Sequence, residues 1–219
     1  MSTHPVKIAI VTGGHPYEVI PFHQMFHALE GVEAYIQSMD EFATSPEAMR
    51  DSYDVVGFYH MLMDGPTDDG PEWLRGKVKS VLEHTAQTGQ GMLILHHAIL
   101  AYPQWAVWNE LVGIGDRSFG YHPYETIQVT PASGAHRVTQ GLAPWEMVDE
   151  TYTMAEPDSA STVLLTVEHP KSMRALAWTR TPNGKRIFCF QSGHDHITWD
   201  NAGFRTVLQR GILWSGGRL

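Results

Sequence analysis

Gly91-Met92-Leu93-Ile94-Leu95-His96-His97-Ala98 decides the fold. Five uncharged residues, led by a glycine, read as a short central strand buried on both faces, as strands of a parallel sheet are. The run stops at two imidazoles and a small residue. In α/β enzymes the sharp turn after such a strand is a common place for a nucleophile. No serine or cysteine stands at this turn, so acyl-enzyme chemistry is not expected. His96 and His97 can instead act as base or metal ligand.

The same ending recurs along the chain. Val6–Thr12 runs into Gly13-Gly14-His15, and Asp54–Tyr59 into His60. Arg186–Phe190 runs into Gln191-Ser192-Gly193-His194-Asp195-His196. Ligands of open α/β sheets bind outside the carboxyl ends of the strands. His15, His60, His96 and His194 are therefore the candidate ligands of one divalent ion, zinc or manganese. A catalytic site needs only about three protein ligands and an open position, which leaves one of the four free to be a base. Gly13-Gly14-His15 is not G-x-G-x-x-G, so no dinucleotide fingerprint is present. His23 and His27 have metal-compatible i, i+4 spacing but read as a solvated helix face.

Between these strands the apolar spacing is helical. Phe22, Met25, Phe26 and Leu29 repeat at i, i+3, i+4, i+7 behind Pro21, with Gly31 as the cap. Glu33–Gln37 is a second strand. A helix starting near Pro71 carries the stripe Leu74, Val78, Val81, Leu82, with Asp68 and Asp69 at its positive end. The resulting β-α-β-β-α-β order implies parallel pairing with right-handed crossovers. The second half is less regular. Strands are expected at Thr126–Val129, Met147–Thr153, Thr162–Val167, Ala175–Trp178 and Arg186–Phe190. Pro-Asn-Gly at 182–184 reads as a hairpin turn, so Ala175–Phe190 should be partly antiparallel. A closing helix is capped by Asp200 or Asn201 and buries Phe204, Val207, Leu208, Gly211 and Ile212.

Composition narrows the partners. The 219 residues carry 15 basic and 24 acidic side chains, a formal charge of −9. A nucleic-acid or anionic-membrane partner needs a basic surface and is not expected. Length and the absence of a linker suggest a single α/β domain over residues 1–219. No apolar run approaches the ~18 residues of a membrane span, and the N-terminus lacks the layout of a signal peptide. The one cysteine, Cys189, lies inside a strand and reads as an inert thiol in a reducing compartment, the cytoplasm. A homo-oligomer is compatible with all of this.

Asp149-Glu150-Thr151-Tyr152 adds carboxylates. Strand alternation puts Glu150 and Tyr152 on one face and Asp149 on the other. Glu150 is the candidate base or carboxylate ligand, and Asp149 acts beside it or orients a histidine. With His97 these form the candidate catalytic set. Trp105 is a candidate for stacking on a sugar ring.

Several of these stretches, in this order, resemble the trehalose-utilisation (ThuA-like) family over essentially the whole chain. Gly91–Ala98 is similar to its glycine-led strand ending in histidine, and Phe119-Gly120-Tyr121-His122-Pro123 to its Phe-x-x-His-Pro segment. Ala135–Leu142 resembles its His-Pro-Ile-Thr-x-Gly-Leu stretch, with Arg137 in place of proline. Asp149–Tyr152 matches Asp-Glu-x-Tyr. Ser192-Gly193-His194 and the later Ile212-Leu213-Trp214 resemble its C-terminal signature. The resemblance implies a class I glutamine-amidotransferase-like fold without the catalytic cysteine: a flavodoxin-like three-layer sandwich with a mostly parallel central sheet. It also implies sugar catabolism next to oxidoreductases that make 3-keto-glycosides. The expected function is then a metal-assisted lyase or hydrolase acting on such a glycoside by proton abstraction and elimination, with His122 and Tyr152 holding substrate hydroxyls. The alternative is a non-catalytic carbohydrate-binding or regulatory protein on the same scaffold. Hydrolysis by paired carboxylates is disfavoured, because Asp149 and Glu150 diverge on a strand.

Overall fold

The computed structural model describes residues 4–70, 77–132 and 136–219. Its elements in chain order are β1 (Val6–Gly13), α1 (Val19–His27), β2 (Val32–Ser38), α2 (Met39–Thr44), α3 (Glu47–Arg50), β3 (Val55–His60) and α4 (Val78–Gln87). There follow β4 (Gly91–Leu95), a 3-10 turn (His96–Leu100), α5 (Ala106–Val112), β5 (Gly120–Pro131), β6 (Trp145–Thr153) and β7 (Thr162–Thr166). The chain closes with β8 (Ala175–Arg180), a 3-10 turn (Pro182–Gly184), β9 (Ile187–Phe190), α6 (His196–Trp199) and α7 (Ala202–Ser215). Pro71 and Leu74, expected in the fourth helix, lie outside the described residues.

The strands form one sheet in the order β2-β1-β3-β4-β9-β8-β7-β5-β6. The five strands from β2 to β9 are paired in parallel. The pairings from β9 through β8, β7 and β5 to β6 are antiparallel. The sheet is therefore mixed, and the expectation of a mostly parallel one is corrected. The cause lies after residue 113. No long helix separates the later strands, and a parallel return needs such a crossover while a hairpin does not.

Helices cover both faces of the parallel half. On one face Phe22, Met25 and Phe26 of α1 pack with Val207, Leu208 and Ile212 of α7 against Ile8, Leu93 and Phe188. On the other, Phe42, Val81 and Trp108 from α2, α4 and α5 pack against Val11, Phe58 and Ile94. Gly91 is required by this layering. A Cβ there would overlap the carbonyl of Ser215 at the end of α7. Helix α2 has no apolar periodicity to announce it, although Ser38 and Glu41 form a complete capping box at its start. Asn201 is the cap of α7, accepting from the Phe204 amide. No described helix is long and apolar enough to cross a membrane. Cys189 is buried, and burial pushes its thiol pKa up, as expected for an inert group.

Candidate metal centre and catalytic cleft

The carboxyl ends of β1, β3, β4 and β9 lie side by side, with Gly13 opposite His60 and Leu95 opposite Phe190. His96 begins the turn after β4 with a φ of 52°. A residue with a Cβ is held in this left-handed region at a cost of about 1–3 kcal/mol, and such strain gathers at functional sites. The His96 ring is fully buried. Its Nδ1–H donates to the carbonyl of Gln191 at 2.8 Å. A carbonyl only accepts, so that bond puts the proton on Nδ1 and leaves the Nε2 lone pair facing the site.

Three atoms surround Nε2. The Tyr152 hydroxyl lies at 2.8 Å, His194 Nδ1 at 3.1 Å and Glu150 Oε1 at 3.5 Å. Glu150 Oε1 is also 3.5 Å from His194 Nδ1. Two ligands about 2.1 Å from a shared ion, subtending a near-tetrahedral or right angle, stand roughly 3.0–3.4 Å apart. His96, His194 and Glu150 thus have the spacing as well as the chemistry of a two-histidine, one-carboxylate set. Burial works against the charge of Glu150, but His96, His194 and Tyr152 outweigh it and its pKa falls below the usual range. Burial and the neighbouring His96 lower the pKa of His194, against the pull of Glu150, Asp149 and Asp195. A carboxylate and an unprotonated imidazole are the forms that bind metal.

Glu150 and Tyr152 come from β6, the far edge strand of the sheet. The β5–β6 ribbon is paired over most of its length but joins β7 only at Thr130 and Pro131. It therefore folds back over the carboxyl ends of the parallel strands. Asp149, on the opposite face of β6, is buried and has no access to the cleft. Its oxygens accept from the amides of Gly193 at 2.9 Å and His194 at 3.1 Å, and from Thr198 Oγ1 at 2.8 Å. Burial raises its pKa, opposed by His96 and these hydrogen bonds.

A cleft of about 270 Å³ opens beside the three ligand atoms. His15, His97, Glu150 and Tyr152 line one side, and Met61, Leu100, Phe119 and Tyr121 the other. His15 Nδ1 donates to its neighbour Pro16's carbonyl at 2.7 Å, and its ring stands 4.6 Å from that of His97 and 5.9 Å from that of His194. His15 is beside the ligand set, not within it. His97 is 1% exposed, yet neither of its ring nitrogens has a hydrogen-bond partner.

Three expected site residues lie elsewhere. His60 is fully buried among Phe58, Tyr102 and Trp108, with both nitrogens unpartnered. Its expected place among the ligands is corrected. It is the last residue of β3, and its side chain falls on the α5 face of the sheet, away from the cleft. Burial lowers its pKa to about 3, so the ring is neutral. His60→Leu is expected to leave metal uptake unchanged, measured by elemental analysis, because an apolar side chain suits that pocket at least as well. Trp105 packs on Tyr102 and Trp108 and does not line the cleft. His122 does not line it either, since strand alternation turns the neighbouring Tyr121 toward the cleft and His122 toward Glu125. Tyr121 and Phe119 escape a sequence reading that takes their segment through its histidine. A second group, Glu47, Asp51 and His84, is compatible with a cation but stands on the surface, where acidic groups commonly gather without one.

A family model described as ThuA, trehalose utilisation, matches residues 10–215. The chain belongs to the ThuA family. Solved structures agree on the fold. A ThuA-like protein from Parabacteroides merdae shares 18% identity with a TM-score of 0.73, covering 97% of this chain and 90% of its own. A ThuA-like protein from Bacteroides uniformis shares 16% with a TM-score of 0.74, covering 98% and 93%. A GMP synthase component from Thermoplasma acidophilum, itself assigned only by similarity, shares 15% with a TM-score of 0.56, covering 96% and 94%. The last connects this ThuA chain to the amidotransferase type of fold. No curated protein matches the chain by sequence.

Proposed function

We propose that this ThuA protein is a metal-dependent enzyme that cleaves an oxidised, 3-keto glycoside by proton abstraction and elimination, with water then adding back. One observation supports this reading above the others: His96 Nε2, His194 Nδ1 and Glu150 Oε1 converge within 3.5 Å of one another beside a cleft that also holds His97. The family's description as trehalose utilisation supports a carbohydrate as substrate. Two imidazoles and a carboxylate suit zinc or manganese. When bound, the ion would polarise the C3 ketone as a Lewis acid and so acidify the proton on C2.

The chain's own residues do the rest. His97 takes the C2 proton on a ring nitrogen that no protein group occupies. The freed electron pair forms the C1–C2 double bond, and the C1–O bond breaks with the departing substituent. Tyr152 keeps its proton, because burial and the nearby Glu150 hold its pKa well above the ordinary value. It can donate to a substrate oxygen. Phe119 and Tyr121 offer an apolar wall to the sugar ring, and Tyr121 is 64% exposed at the cleft mouth. Asp149 has no role at the reacting atoms, since its oxygens are committed to the Gly193–His194 backbone and Thr198. A cytoplasmic location fits the single buried thiol.

The test uses oxidised and unoxidised disaccharides, with and without a chelator, and follows products by mass spectrometry. Cleavage of the oxidised sugar alone, lost with chelator and restored by zinc or manganese, is the expected result. No turnover, together with no stoichiometric ion by elemental analysis, would sink the proposal and leave the carbohydrate-binding reading in its place.

A further inference from the structure

We propose that Tyr59 is a positioning residue: its hydroxyl clamps the Gly193–His194 backbone from the carbonyl side and thereby aims the His194 imidazole at the ligand point. The proposal rests on the metal-site reading above and goes beyond it to a residue outside the ligand set and the cleft. Residues 191–195 are neither strand nor helix, since β9 ends at Phe190 and α6 starts at His196. Gly193 has a φ of 125°, and glycine loses the most backbone freedom when it is ordered. Something outside the segment must hold it.

Three side chains do so, from two directions. The Asp149 carboxylate accepts both amides, Gly193 N at 2.9 Å and His194 N at 3.1 Å. From the other side the Tyr59 hydroxyl donates toward both carbonyls, Gly193 O at 3.1 Å and His194 O at 3.0 Å. The Trp199 indole N–H adds a bond to Gly193 O at 2.8 Å. The His194 ring itself meets only His15, His96 and Glu150, so its direction is inherited from this backbone. Tyr59 is 1% exposed. Its ring also packs 4.3 Å from the ring of His97 and 4.5 Å from that of Phe22. One side chain therefore fixes the loop that carries a ligand and the imidazole beside it. Groups that orient metal ligands in this way are typically worth about 10–100-fold in affinity.

Tyr59→Phe tests this directly, because it deletes one hydroxyl and keeps the ring packing. Trp199→Phe, which removes the other donor to Gly193 O, is the companion variant should the first fold poorly. Both are titrated with cobalt(II) alone, and the visible absorption of the bound ion reports its ligand geometry. The expected result is a roughly 10–100-fold loss of cobalt affinity with an altered band shape, circular dichroism remaining that of the wild type. A second readout needs no metal: in the ion-free protein the amides of Gly193 and His194 should exchange with solvent roughly tenfold faster in Tyr59→Phe, as expected when a local opening becomes easier. Wild-type affinity and spectrum, with unchanged amide exchange, would overturn the clamp. Wild-type protein that takes up no cobalt would instead sink the metal reading, and the exchange rates would then decide the clamp alone.

Discussion

His194→Ala is expected to abolish stoichiometric uptake of zinc or manganese while the protein still folds. The imidazole supplies one of three ligand atoms, and no other described side chain reaches its place. His15 is nearest in kind, but its ring centre is 5.9 Å from that of His194, and its Nδ1 is bonded to Pro16. A remaining pair, His96 and Glu150, leaves the ion largely to water. Affinity should fall by well over the roughly 100-fold that loss of a merely supporting group can cause. The fold should tolerate the change because the His194 side chain is 27% exposed. The hydrogen bonds around it run to backbone atoms that alanine retains. Elemental analysis of purified protein and a thermal melt check both halves. His96→Ala should lose the ion too, with a larger drop in stability, since its ring is fully buried and satisfies the Gln191 carbonyl. Stoichiometric ion in both variants would refute the assignment.

The residues of this site differ in how far sequence could find them. His96 and His194 were legible because each follows an uninterrupted apolar strand, and strand ends in an α/β sheet share one edge. That rule locates an edge but not the face on which a side chain falls. His60 obeys the rule and still lies on the other face, in an aromatic pocket against Trp108. His122 shows the same limit on a half-exposed strand, where period-two alternation makes an error of one residue an error of face. Glu150 and Tyr152 could be placed on a common face by alternation. Their arrival at the site could not be read, because it depends on β6, the last strand in the sheet order, bending back over β4 and β9. The fold divides similarly. The parallel half follows from helices between strands. The antiparallel half is built of hairpins whose partners are set by long-range packing, and only the Pro182–Gly184 turn announced itself locally.

His97→Leu is expected to leave the ion in place and the fold at least as stable, yet lower turnover of the oxidised glycoside by roughly 10²–10⁴-fold. Each half of that expectation comes from the same observation. A buried polar atom without a hydrogen-bond partner carries an uncompensated desolvation cost, and removing it for an apolar group of similar shape is near neutral or stabilising. His97 has two such atoms and is 1% exposed. Nothing in the protein's own structure explains why imidazole should be kept there over leucine. A substrate atom in the cleft does explain it. Burial, then the neighbouring His96 and His15, push the His97 pKa well below its ordinary value, so at neutral pH the ring is unprotonated and ready to accept a proton. His97 is no part of the ligand set, so uptake of zinc should be that of the wild type. Thermal melts, elemental analysis and steady-state rates on one preparation separate the three quantities. A variant that gains stability and loses turnover at full metal content identifies His97 as the base. One that turns over at the wild-type rate removes it from the mechanism and moves the proton to His15, whose ring lies 4.6 Å away across the same cleft.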